Sequence, residues 1–297
     1  MTNVLITGCS TGIGFVTAEL LARKGYHVYA TMRNPQGSPE LAQLAERDNL
    51  PITIAPLDVD SDESVKTAIE QVLAQAGHID VLINNAGIAP LSVVEETPID
   101  VYQQVMQTNY FGTLRCIQAV LPAMRERRSG MIVNISSISG KVYAPYFGAY
   151  SATKAAVEAL SESLAGEVEP LGIRVAVVVP GIIYTPLMNK LDQVAPDTNY
   201  PNMARMRALL LSSKENNIPV SLISNTIYEV IAGERTGFRH VASPDAELFL
   251  SFRASLSDED WIASAGMDEE TWIAGMAQMG INVRPYLKTP VNSPATL

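Results

Sequence analysis

Tyr150 and Lys154 stand four residues apart near the start of a helical stretch, a spacing that puts both side chains on one face. An ammonium beside a phenol stabilises the phenolate, lowering the tyrosine pKa from about 10 towards the range useful for proton transfer. Thirteen residues upstream of Tyr150, Ser137 ends a strand in the run NISSISG, where its hydroxyl can reach the same space. Ser136 and Ser139 compete for that role, and the S-x-x-G pattern ending at Gly140 favours Ser137. Taken alone, such a tyrosine and lysine pair is usually an accident of the surface, so the reading depends on the elements that position it.

Near the start of the chain, an apolar strand ends at Thr7 and runs through Gly8, Cys9, Ser10, Thr11, Gly12, Ile13 and Gly14 into a helix. A glycine turn at that junction lets backbone N–H groups and the positive end of the helix dipole approach a pyrophosphate. Glycines also serve any tight turn, but their place after the first strand of a βαβ chain favours a dinucleotide site. An NAD-type site would carry an acid at the end of the second strand. This chain has Thr31, Met32, Arg33 and Asn34 there, with no acid before Glu40. Arg33 therefore favours a 2′-phosphate and hence NADP(H), with NAD(H) as the weaker partner, and Thr11 can add a hydrogen bond.

The supporting elements follow from the pattern. Short β-branched runs at residues 4–7, 27–31, 52–56, 80–84, 131–136, 174–179 and 238–242 alternate with amphipathic stretches at 15–23, 61–76, 98–127 and 149–169. Several runs are continuously apolar, as in parallel strands covered on both faces. The predicted fold is α/β: one Rossmann-type doubly wound domain over residues 1–284, with seven parallel strands. Thr97 as N-cap, Pro98 at the first helical position and Asp100 in the first turn predict the start of the third helix, which Gly112 and Pro122 interrupt. Residues 186–217, rich in methionine, leucine and proline, read as an apolar flap rather than a core element. Within a C-terminal helical extension at about 246–280, DEDWIAS and DEETWIAG predict two short helices with acidic first turns, and residues 285–297 a frayed tail.

Of 297 residues, 47% are hydrophobic and 18% charged, ample to bury a core and incompatible with general disorder. A net charge of −10 repels phosphate backbones and anionic membranes, so neither nucleic acid nor a membrane is expected as a partner. Cys9 and Cys116, far apart, and three histidines form no metal-ligand spacing, so no metal site is expected. With no positively charged leader ahead of an apolar run, the expected location is the cytoplasm.

At this point the chain resembles the short-chain dehydrogenase/reductase family. The resemblance rests on Thr7-Gly8-x-x-x-Gly12-x-Gly14, Asp58-Val59, Asn84-Asn85-Ala86-Gly87, Asn109, Ser137, Tyr150 with Lys154, and Pro180-Gly181 followed by Thr185. Within the family, VYATMRN at residues 28–34 looks most like the NADP(H)-preferring branch that includes 17β-hydroxysteroid dehydrogenase type 1. The resemblance implies that Tyr150 is the general acid/base, that Ser137 polarises the substrate oxygen, and that Lys154 binds the nicotinamide ribose. It implies that Asn109 holds a water in a proton relay and that Asn84 fixes the central strands. It places Gly8, Ser10, Thr11, Gly12, Ile13, Gly14, Arg33, Asp58, Val59, Asn85, Ala86, Gly87, Pro180, Gly181, Ile183 and Thr185 around the cofactor.

Residues 90–94, 143–147, 182–184 and the flap are expected around the reacting carbon, mostly apolar or aromatic. This predicts a small hydrophobic ketone, aldehyde or secondary alcohol as substrate. A 3-oxoacyl thioester reductase would share the catalytic set, an epimerase on sugar nucleotides would want another glycine spacing, and a sensor binding NADP(H) without turnover would not need Ser137, Tyr150 and Lys154. Small and apolar residues spread around the helices at 98–127 and 149–169 predict a homodimer or homotetramer.

Overall fold

A computed structural model describes residues 1–185, 198–216 and 218–287. Seven strands form one sheet: β1 (Asn3–Ile6), β2 (His27–Met32), β3 (Ile52–Pro56), β4 (Val81–Asn84), β5 (Gly130–Ile135), β6 (Ile173–Val179) and β7 (Arg239–Val241). All are parallel, in the order β3-β2-β1-β4-β5-β6-β7. The chain reverses its direction of winding between β1 and β4, so a crevice opens at the carboxyl ends of those strands, where doubly wound sheets bind ligands.

Alternate residues of each strand feed two cores. Val4, Ile6, Val28, Ala30 and Ile83 pack on one face against α1 (Gly12–Arg23) and against Ile223, Ile227 and Val230. Leu5, Leu82 and Ile132 pack on the other against α3 (Asp62–Ala76), α5 (Gly112–Arg127) and α6 (Gly148–Val168). Two helices have no counterpart in the sequence reading. One is α2 (Glu40–Arg47), which buries only Leu41 and Ala45. The other, α8 (Val220–Ile231), lies on α1, with the hydroxyls of Thr17 and Ser224 2.9 Å apart.

The helix predicted over 98–127 is divided into α4 (Ile99–Met106), a π-helical turn at Gln107–Phe111, and α5. Thr97 is not its cap. Pro98 is the residue before the first helical one, with an extended ψ of 147°, and the Thr97 N–H donates instead to the Val93 carbonyl at 2.9 Å. Pro122 lies inside α5 without ending it.

The flap reading needs a second correction. Residues 186–197 and 217 lie outside the described residues, but 203–216 form a packed helix, α7 (Met203–Asn216), with Ala208, Leu210 and Leu211 buried. Its apolar side meets residues from β6 and from the C-terminal helices, a partner surface that a local pattern does not reveal. Those helices are α9 (Pro244–Ala254), α10 (Asp258–Ser264) and α11 (Glu269–Gln278). Ser257 and Asp268 cap the last two through the amides of Asp260 and Thr271. Of the expected tail, residues 285–287 are described: Arg284–Tyr286 forms a 3-10 turn, and Arg284 pairs with Glu270.

Candidate active site

One cleft of about 1330 Å³ runs along the carboxyl ends of the strands. Every residue expected to be catalytic or to bind the cofactor lines it except Gly14 and Asn109. Gly8 turns the chain out of β1 with φ +73°, a left-handed conformation that favours glycine. A Cβ on Gly14 would fall 2.4 Å from the Gly8 carbonyl oxygen, so Gly14 acts by letting α1 press against the turn. Asn85 holds the same turn from β4, donating its side-chain amide to the Thr7 and Gly8 carbonyls at 2.9 and 3.1 Å. The Thr7 hydroxyl accepts from the amides of Asn85 and Ala86.

The cleft fits a dinucleotide on three counts. Thr11 at the start of α1 caps no amide with its side chain, and the first turn carries no acid, so the amides there are free for an anion. Arg33, exposed after β2, lines the cleft with no carboxylate partner among the described residues. Asp58 is fixed after β3, its amide donating to Ser64 Oγ at 2.9 Å and its carboxylate accepting from the Asp60 amide at 3.1 Å. Across the cleft, the loop carrying Pro180, Gly181, Ile183 and Thr185 is tied to α9 by the Gly181 and Ile182 amides, which donate to Ser243 Oγ and the Asp245 carboxylate.

Ser137, Tyr150 and Lys154 meet in the middle of the cleft. Ser137 follows β5, and its oxygen accepts from the Ser139 amide at 3.2 Å. The Tyr150 ring packs edge-on against Phe147, with centroids 5.0 Å apart. α6 starts there without a cap of its own, and Ser92 Oγ accepts the free Ala149 amide at 3.2 Å. Lys154 donates to the Ile135 carbonyl at 2.7 Å.

Burial acts on both members of the Tyr150 and Lys154 pair. Burial pushes the phenol up to about 12, against a smaller downward pull from its hydrogen bond with Ser137. Burial likewise pushes Lys154 down to about 8, opposed by the charge of Glu158 one turn along. The reason is dielectric: Lys154 is buried and Tyr150 half-buried, and one of the three ammonium N–H donors goes to backbone. At neutral pH the site holds a neutral phenol and a lysine that is still mostly protonated, the state that gives a proton rather than takes one.

Asn109 lies beside the cleft rather than lining it. Its side chain accepts from the Ile88 amide at 2.8 Å and donates to the Ile88 carbonyl at 2.9 Å and to Thr153 Oγ1 at 3.0 Å. These bonds tie the segment after β4 to the helix of Tyr150 and use both N–H donors of the amide, while its oxygen keeps a second lone pair for a further donor such as a relay water. Asn84 donates to Asn134, joining β4 to β5 as expected.

Beyond Tyr150 the cleft turns apolar. Tyr143, Tyr146 and Phe147 line it, as do Ile182 and Ile183, whereas residues 90–94 and Tyr184 do not. Ser92 instead supports the tyrosine loop from behind, bridging to Phe147 and donating its amide to the Tyr146 carbonyl. Met206 and Leu209 of α7 line it as well, in the segment expected there, whereas the sequence reading missed the remaining wall: Phe249 and Phe252 of α9, Trp261 of α10, and Trp272 and Met276 of α11. The aromatic and methionine content of 249–276 was visible in the sequence, but its side of the molecule was not.

The profile of the short chain dehydrogenase family matches residues 2–195. The chain belongs to that family. It is 36% identical over 261 residues to a 3-ketodihydrosphingosine reductase of Bacteroides thetaiotaomicron, covering 86% of this chain and 93% of that protein. It is 38% identical over 252 residues to retinol dehydrogenase 8 of Bos taurus, covering 80% of each. The solved structure of ElxO with NADP bound superposes with a TM-score of 0.67 at 31% identity, over 81% of this chain and 96% of that one. This short chain dehydrogenase is thus an oxidoreductase of the family, with a cleft that fits a nicotinamide dinucleotide.

Proposed function

We propose that this chain reduces hydrophobic ketones or aldehydes with NADPH and oxidises the matching alcohols in reverse. One observation carries the reading: Ser137, Tyr150 and Lys154 stand at the junction of a glycine-turn half and an apolar half of a single cleft. Its volume exceeds the roughly 300–1,000 Å³ of a pocket for one small ligand, in keeping with a dinucleotide and a substantial substrate side by side. Arg33 without a carboxylate supports a 2′-phosphate as its counter-charge, and the NADP in ElxO agrees with that preference. The two relatives bear the names of a ketone reductase and of an alcohol dehydrogenase, the two directions of such a reaction.

When bound, the nicotinamide supplies the hydride to the carbonyl carbon. Tyr150 gives its phenolic proton to the carbonyl oxygen, while Ser137 hydrogen-bonds that oxygen and holds it over the phenol. The Lys154 cation, buried beside them, stabilises the negative charge passing from oxygen to phenolate. The apolar wall excludes water and strengthens each of these interactions.

The exposed Val94, Ile99 and Phe111 flank the helices expected to pair subunits, so we further propose a homo-oligomer, checked by light scattering. The activity is tested by following nicotinamide absorbance with NADPH and NADH over aliphatic aldehydes, ketones and 3-oxoacyl thioesters. Turnover of apolar carbonyls with NADPH is expected. NADPH binding without turnover of any of them would replace the reductase with a sensor.

A further inference from the structure

Arginines in this acidic chain commonly close an ion pair: Arg23 with Asp48, Arg115 with Asp62, Arg239 with Glu158, and Arg284 with Glu270. Three arginines line the cleft, Arg33, Arg205 and Arg253. Arg253 is neutralised by Asp258. Arg33 faces the dinucleotide half, where a phosphate is its natural counter-charge. Arg205 is the remaining one, set in the apolar half, and among the described residues no carboxylate meets it.

Arg205 is held in place. It sits in the first turn of α7, donates Nη1 to the Met267 carbonyl at 2.7 Å, and stacks its guanidinium 5.9 Å from the centre of the Trp272 ring. Its charge reaches the Tyr146 phenol, which it pulls down against the upward push of burial. Of its five N–H donors, the Met267 carbonyl is the sole protein acceptor among the described residues. Asp258, the one acid lining this half, is already taken by Arg253. A half-buried cation without counter-charge destabilises a fold, whereas its planar fork matches two oxygens of a carboxylate or phosphate.

We propose that Arg205 receives an oxyanion, a carboxylate or a phosphate, carried by the substrate on its apolar part. This rests on the reductase reading above and narrows it: the substrate is an amphiphile whose carbonyl lies at Tyr150 and whose anionic group lies at Arg205.

Binding can be read without cofactor, because both tryptophans of the chain, Trp261 and Trp272, line this half and Arg205 stacks on one of them. Fluorescence titration of the whole chain with dodecanoate, dodecyl phosphate and dodecanol should show about tenfold or more tighter binding of an anion than of the alcohol, the worth of one charge-assisted hydrogen bond. The ranking of the two anions identifies the group. Arg205→Met should bring the anions to within about twofold of the alcohol, and Arg205→Lys should restore part of the gap. Equal binding of all three by the parent, or an anion preference that survives in Arg205→Met, overturns the proposal. Should Arg205→Met fail to fold, the comparison in the parent and in Arg205→Lys decides.

Turnover of ω-oxododecanoate against its methyl ester separates this inference from the reading it rests on. Anion binding that depends on Arg205, with neither aldehyde reduced, leaves the anion site standing and removes the reductase. Equal kcat/KM for acid and ester removes the anion site and leaves the reductase.

Discussion

The ammonium of Lys154 lies 5.6 Å from the centre of the Tyr150 ring and donates one of its three N–H groups to the Ile135 carbonyl at 2.7 Å. Each group is displaced by burial towards its neutral form. The phenol, raised to about 12, stays protonated through the physiological range, while the lysine, lowered to about 8, keeps its cation only below that point. Reduction needs both the phenolic proton and the cation. Its kcat/KM should be level below about pH 8 and fall above it as Lys154 loses its proton. Oxidation needs the phenolate and should rise with pH over the same range. Tyr150→Phe should cost about 10²–10⁴-fold in kcat while NADPH binding persists; a variant as active as the parent would remove Tyr150 from the mechanism.

Arg33 supplies the second prediction. A charge-assisted hydrogen bond to a 2′-phosphate contributes about 1.5–3 kcal/mol, so Arg33→Asp should weaken NADPH by about ten- to a hundredfold or more. NADH should lose little or gain, since a carboxylate there can accept from a ribose hydroxyl. The measurement is the ratio of kcat/KM for the two cofactors. An unchanged ratio would mean that Arg33 is a solvated residue at the end of β2 and no more.

Asn109 should behave unlike Tyr150. Truncation to alanine removes the partners of the half-buried Ile88 amide and carbonyl and of the buried Thr153 hydroxyl. Leaving such groups unsatisfied costs about 1–3 kcal/mol each. Asn109→Ala should therefore lower the melting temperature together with activity, whereas Tyr150→Phe lowers activity alone. Calorimetry of the two variants side by side distinguishes a positioning residue from one that handles the proton.

These contrasts follow what was legible in the sequence. Buried parallel strands are written as continuous apolar runs, so β6 could be read from Val175 to Val179 with no knowledge of its neighbours. Glycine turns, Tyr150 with Lys154, and Ser137 are local signals that a strand-helix alternation puts at one end of a sheet. Other facts depend on surfaces brought together from far along the chain. The 203–216 segment reads as loose because its methionines and leucines have no local partner, yet Ala208 is fully buried against residues from the C-terminal helices. α8 carries Ile223, Ile227 and Val230 at helical spacing, a signal that was present and passed over. The upward push of burial on Tyr150 was not legible, because spacing reports who is near whom and not how far each group is desolvated.

The alkaline limit of stability follows from the same desolvation, and its sign can be worked out group by group. Burial raises Cys9 and Cys116 from 9.0 to about 12 and Tyr150 from 10.0 to about 12, so above pH 9 the folded chain holds protons that the unfolded chain releases. Each of these groups subtracts stability as pH rises from its unfolded value towards its folded one. Lys154 runs the other way: lowered from 10.5 to about 8, it adds stability with pH between those two values. Between pH 8 and 9 the lysine acts alone among these four, and between 9 and 10.5 the two cysteines outweigh it. The melting temperature should therefore hold or rise slightly to about pH 9 and then fall. Cys9→Ala with Cys116→Ala together should flatten the fall between pH 9 and 10, and a thiol reagent should label neither cysteine until the chain unfolds. Rapid labelling of the native protein at pH 8 would show that the interior around β1 and α5 opens far more readily than its burial implies.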